Sequence, residues 1–162
     1  MATLTNTFGA PTAVTITDIT LAAGAITSTA IVGPLSASDI LVGGFASISS
    51  GTIVAGDTIN VYVTAQYSDT ATDMGGGINA GLAADTLIVD ETDFMKNNLT
   101  LLSVISLEAG AVFQDYHWGP VSVASAFGGV LPENVMFVYE NSSAGATDDI
   151  TIDYVTVAPT ST

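Results

Sequence analysis

Thr58-Ile59-Asn60-Val61-Tyr62-Val63-Thr64-Ala65-Gln66-Tyr67 alternates along its length. Ile59, Val61, Val63, Ala65 and Tyr67 share one face and Asn60, Thr64 and Gln66 a mostly polar other, the period-two pattern of a half-buried strand. Val135, Phe137 and Tyr139 repeat the pattern, as do Ile150, Ile152 and Tyr154. Residues 99–107 are apolar on both faces over much of their length, which predicts a strand in the middle of a sandwich. Further strands are expected at 14–21, 26–32, 86–89 and 112–118. Lys, Arg, Glu and Gln are scarce while Thr, Val, Ile, Ser and Gly dominate, so helix is disfavoured throughout. Only a short helical turn near 90–96 is expected.

Roughly eight to ten short strands parted by Gly, Pro, Asp and Ser turns define an all-β chain, a β-sandwich or jelly roll. Leu101, Val104, Ile105, Val135, Phe137 and Ile152 are its expected core. Residues 68–85 hold Gly75-Gly76-Gly77 and the acids Asp69, Asp73 and Asp85, and are expected to form a long exposed loop. The expected organisation is an N-terminal arm over 1–11, one sandwich domain over 12–157 and a polar tail over 158–162. Leu4 and Phe8 are the arm's apolar anchors, and a segment so small is expected to order only on binding.

The chain echoes itself. Ile19-Thr20-Leu21-Ala22-Ala23-Gly24-Ala25-Ile26, followed by Gly33-Pro34-Leu35-Ser36, recurs as Ile105-Ser106-Leu107-Glu108-Ala109-Gly110-Ala111-Val112, followed by Gly119-Pro120-Val121-Ser122. Each copy reads as strand, Gly-centred turn, strand and Gly-Pro break. A duplication would relate the halves by a pseudo-two-fold axis; repeated turn chemistry is the other reading.

Sixteen acids face one cation, Lys96, for a formal charge of -15. Nucleic-acid binding draws on Lys and Arg at phosphates, so DNA and RNA are excluded as partners, and anionic membrane surfaces are disfavoured alike. Without cysteine, disulfides, thiolate zinc sites and a thiol nucleophile are absent. The first residues lack a signal peptide's basic start and apolar run, and no apolar stretch approaches the roughly 20 residues of a membrane helix. A soluble chain made in a cytoplasm is expected, and Asn98-Leu99-Thr100 and Asn141-Ser142-Ser143 are then chance glycosylation matches.

Candidate chemistry is thin. His117, the sole histidine, lies in Asp115-Tyr116-His117-Trp118. Alternation along a strand is taken to keep Asp115 from orienting it, and no Gly-x-Ser-x-Gly elbow is present, so an interface or packing role is expected. Tyr116 and Trp118 share one face and suit a core plug, an interface anchor or, as the sharper alternative, a sugar platform. Asp69, Asp73 and Asp85, Asp90-Glu91-Thr92-Asp93 and Asp148-Asp149 match no compact calcium loop, although calcium bridging between subunits would offset self-repulsion. No enzyme, cofactor or resident metal is expected; the candidate interface is Leu4, Phe8, Tyr116, His117 and Trp118.

Residues 118–142, with the Pro132-Glu133-Asn134 turn and Glu140-Asn141, the closing strand at 150–157 and the turn-strand Ala55-Gly56-Asp57-Thr58-Ile59-Asn60-Val61, resemble segments of tailed-bacteriophage virion proteins. The resemblance implies a small β-sandwich on the outer capsid surface that decorates or cements the shell. Its partners would be its own copies, in a trimer, and the major capsid protein. The lack of arginine fits a surface facing away from packaged DNA. A tail, neck or fibre component, or a carbohydrate-binding module, are the competing readings.

Overall fold

A computed structural model describes residues 4–16, 20–30, 32–50, 53–66, 99–110 and 114–161. Among the described residues there are nine strands: β1 (Leu4–Phe8), β2 (Thr12–Ala13), β3 (Ile26–Ser28), β4 (Asp39–Ser50), β5 (Thr58–Gln66), β6 (Thr100–Ser106), β7 (Gln114–Ser122), β8 (Asn134–Ser142) and β9 (Ala146–Ser161). A short helix, α1, covers Val123–Ala126 among the described residues. The strands form two antiparallel sheets: β9-β4-β7 with β1 and β2 both on the free side of β9, and β3-β8-β5-β6. With β1 set aside, the strand orders β2-β9-β4-β7 and β3-β8-β5-β6 are those of a jelly roll, two interlocked Greek keys.

Alternation places the core. Ile40, Val42, Ala46 and Ile48 of β4, Ile150 and Ile152 of β9, and Tyr116 and Trp118 of β7 point inward from one sheet. Ile59, Val61 and Val63 of β5, Val135, Phe137 and Tyr139 of β8, and Ile105 of β6 meet them from the other. The strand predicted to be covered on both faces was misplaced. β6 is an edge strand, and Leu101 and Val104, expected in the core, are 52% and 48% exposed. It is β8 that is covered twice, since Met136 and Val138 on its outer face are also buried, with Ile26. Apolar residues on both faces of a strand show what could be buried; the number of neighbouring layers decides what is.

Two other points differ from the sequence reading. β4, at the centre of its sheet, was not anticipated, because Gly43 and Gly44 interrupt its apolar alternation. The described part of the supposed arm is strand β1, paired with the stretch read as a tail (Leu4↔Ser161 to Phe8↔Val157). Of the expected strand at 14–21, residues 17–19 lie outside the described residues; the rest carries the bridge Ile16↔Thr29 and backbone bonds from the Val14 N–H to the Ile152 carbonyl, from the Ala30 N–H to the Thr15 carbonyl and from the Thr147 N–H to the Leu21 carbonyl. The predicted elements at 68–85, 86–89 and 90–96 lie outside the described residues.

The sequence echo falls on equivalent places in this topology. Exchanging β2, β3, β4 and β5 for β6, β7, β8 and β9 converts the order of one sheet into that of the other. Gly24 and Gly110, at φ 75° and 76°, turn the chain after buried Leu21 and Leu107. The Gly24 N–H donates to the Asn141 carbonyl and the Gly110 N–H to the Ile53 carbonyl, each at 2.8 Å, and these acceptors lie at the ends of the matching β8–β9 and β4–β5 connections. Both Gly-Pro bonds, Gly33-Pro34 and Gly119-Pro120, are cis.

Candidate functional site

The outer face of the β9-β4-β7 sheet is built in cross-strand rows. The register aligns Asp115, Ser47 and Asp149 in one row and His117, Phe45 and Thr151 in the next. The following row has Gly43 beside Asp153, which is itself opposite Ala13 of β2. There β7 bulges, so Gly119 and Pro120 stand against Gly43 alone. Beyond them Leu41 lies beside Val155.

These glycines make a depression. A Cβ on Gly43 would come within 2.9 Å of the Trp118 carbonyl oxygen, and one on Gly119, at φ +80°, within 2.6 Å of the Gly43 Cα. Two adjacent strands therefore contribute only backbone to the floor, and the bulge fixes both positions as glycine. Phe45 and His117 form one wall, their ring centroids 5.7 Å apart and tilted by 50°. Pro120, Leu41 and Val155 bound the other end, while Phe8, Pro11 and Ala13 close the side beyond β9. The result is an open groove of about 930 Å³, within the size range of ligand sites, roughly 300–1,000 Å³. Asp149 and Asp153 are its carboxylates, and no lysine or arginine lines it.

The predicted interface residues separate. Phe8 is 59% exposed and reaches the groove, and His117 is exposed in its wall. Leu4 pairs through its backbone with Ser161. Tyr116 and Trp118, at 9% and 8% exposure, point into the core, so the sugar platform drawn from them does not exist. The Trp118 Nε1 donates to the Tyr139 hydroxyl at 3.1 Å, which donates in turn to the Thr151 carbonyl at 3.0 Å, while the Tyr116 hydroxyl accepts from the Glu108 N–H at 3.1 Å. Burial raises the pKa of Tyr139 well above its usual value, the Trp118 N–H opposes the shift, and Asp153 adds to it.

The face assignment of Asp115 also needs correcting. Residues two apart on a strand share a face, and both Asp115 and His117 are exposed on the outer side. Alternation therefore does not separate them.

The remaining polar clusters hold the fold. The Asp39 carboxylate accepts from the Ile40 and Ala124 N–H groups, each at 2.8 Å, and from the Ser122 hydroxyl at 2.6 Å, which ties α1 to β4. Asn141 donates to the carbonyls of Leu21, Ala22 and Gly145 and accepts from Ser143, pinning the β8–β9 turn. Buried Glu140 accepts from the Tyr62 hydroxyl at 2.7 Å and from Asn60 at 3.0 Å. Among the described residues no group of three or more His, Asp or Glu could hold a metal. No described helix is long and apolar enough to cross a membrane.

Fold and site together define an all-β jelly-roll sandwich with an open, acid-flanked apolar groove on one sheet. No protein-family model and no curated protein matches the chain.

Proposed function

We propose that this chain is a structural subunit that decorates or cements the outer surface of a tailed-phage capsid through protein–protein contacts. The observation that carries the reading is the groove itself: a mostly apolar depression on one sheet, flanked by carboxylates and reached by exposed Phe8, that no other described element covers. A concave, mostly apolar depression with a few polar groups at its rim is the usual form of a binding site. Resemblance of residues 118–142 and 150–157 to virion proteins supplies the kind of partner, and the excess of acid over cation fits a site away from packaged nucleic acid. Assembly as a trimer belongs to the same reading.

Purified chain added to undecorated capsids, imaged by electron microscopy, tests it. Ordered density on the outer shell that is absent without the protein is the expected result. Label confined to the tail would move the assignment to a tail or neck component, and no label anywhere would overturn it. Light scattering of the free protein tests the trimer, which a monomeric mass would remove.

A further inference from the structure

We infer that the groove takes an extended partner segment of the form cation-x-apolar-x-cation, lying along β9. Groove residues on β9 run from Asp149 to Val155, about 20 Å at 3.3 Å per residue. That length suits a chain segment better than a compact ligand. Asp149, Thr151 and Asp153 project on the outer face at period two, and Phe45 stands opposite Thr151. The aromatic wall thus lies midway between two carboxylates about 13 Å apart along the strand. An extended segment repeats its side chains with the same period, so residues i and i+4 meet the two aspartates when residue i+2 covers Phe45, and the glycine floor beside Asp153 leaves room for the segment's end.

Charge selects the occupant. The groove wall holds no lysine or arginine, His117 is its one basic side chain, and Asp115 follows His117 along the same face. With sixteen acids and one cation in the whole chain, a second copy would bring acid against acid. A basic segment gains from both carboxylates. The inference rests on the assembly reading and names the chemistry that the partner must present.

The probe is a labelled, end-blocked peptide, Gly-Arg-Thr-Leu-Thr-Arg-Gly, titrated into the full chain by fluorescence anisotropy. Saturable binding that weakens with salt is expected, with a loss of about tenfold or more in D149N/D153N. Phe45→Ala should lose affinity as well, measured at a temperature where both proteins are fully folded. The same charge change outside the groove, E108Q/E133Q, should leave binding intact. So should the spacing matter: Gly-Arg-Arg-Thr-Leu-Thr-Gly is expected to bind more weakly.

Equal loss in both charge variants, equal binding of both peptides, or no binding at millimolar peptide would overturn the proposal. A glycan-array signal abolished by F45A would overturn it in favour of a sugar site. The peptide assay uses the isolated chain, so its failure removes the groove assignment and leaves the capsid reading to the particle experiment. Absence of particle binding removes the capsid reading and leaves the peptide result standing.

Discussion

Tyr139 joins the two sheets through a single hydroxyl, accepting from Trp118 on one side and donating to Thr151 on the other. Tyr139→Phe should cost about 1–3 kcal/mol, because the buried Trp118 N–H loses its acceptor. Burial raises the folded pKa of this phenol above the usual 10.0. Its stabilising contribution is therefore full below about pH 10 and declines as pH rises past it toward the folded value, since the unfolded chain loses the proton first. The slope approaches roughly 1.4 kcal/mol per pH unit. Denaturant melts between pH 7 and 11 should show a shallower alkaline decline in Tyr139→Phe than in the parent. That Trp118 fills the core was one of the sequence readings. Its bond to Tyr139 was not legible, because nothing in the order of residues says that β7 and β8 face each other across the sandwich.

At the level of elements, β6 sets the sharpest test. Leu101→Ala, which a core position would make costly, should now change stability by less than about 1 kcal/mol. Ile105→Ala, on the same strand but buried, should cost about 2–5 kcal/mol. Equal losses in chemical denaturation would place the sheet boundary elsewhere. The glycine turns give a second comparison. Gly24→Ala and Gly110→Ala meet no neighbouring atom within 4 Å, so each should lose only the cost of a left-handed residue, about 1–2 kcal/mol. Gly119→Ala should lose more than either, because its Cβ would press on the Gly43 backbone. The repeated turns were legible as local signals around Gly24 and Gly110. The groove was not, since its floor needs Gly43 and Gly119 to meet, and that contact depends on a bulge and on β4, whose own glycines hid it.

For the molecule as a whole, β1 and the last residues of β9 form a ribbon beyond the reach of β4, whose pairing with β9 ends at Asp39↔Val157. Removing residues 1–10 should therefore leave the sandwich folded, with its cooperative thermal transition retained, while decoration of capsids is lost along with Phe8. Unchanged decoration would confine docking to the rest of the groove. The exchange of halves within the sheets reaches further than packing. Every named ladder joins a strand from the first half to one from the second: β2 and β4 to β9, β3 and β5 to β8, β4 to β7, β5 to β6, and β1 to β9. A ribosome that has released the chain only as far as Gln66 has therefore made five strands and none of their ladders. Among the described residues, apart from the bridge between Ile16 and Thr29, no ladder can begin until β6 emerges, and Thr12 must wait for Tyr154. Every ladder is long-range in sequence, so refolding should be slow for a chain of this length, and fragments separated between β5 and β6 should each stay unstructured until mixed.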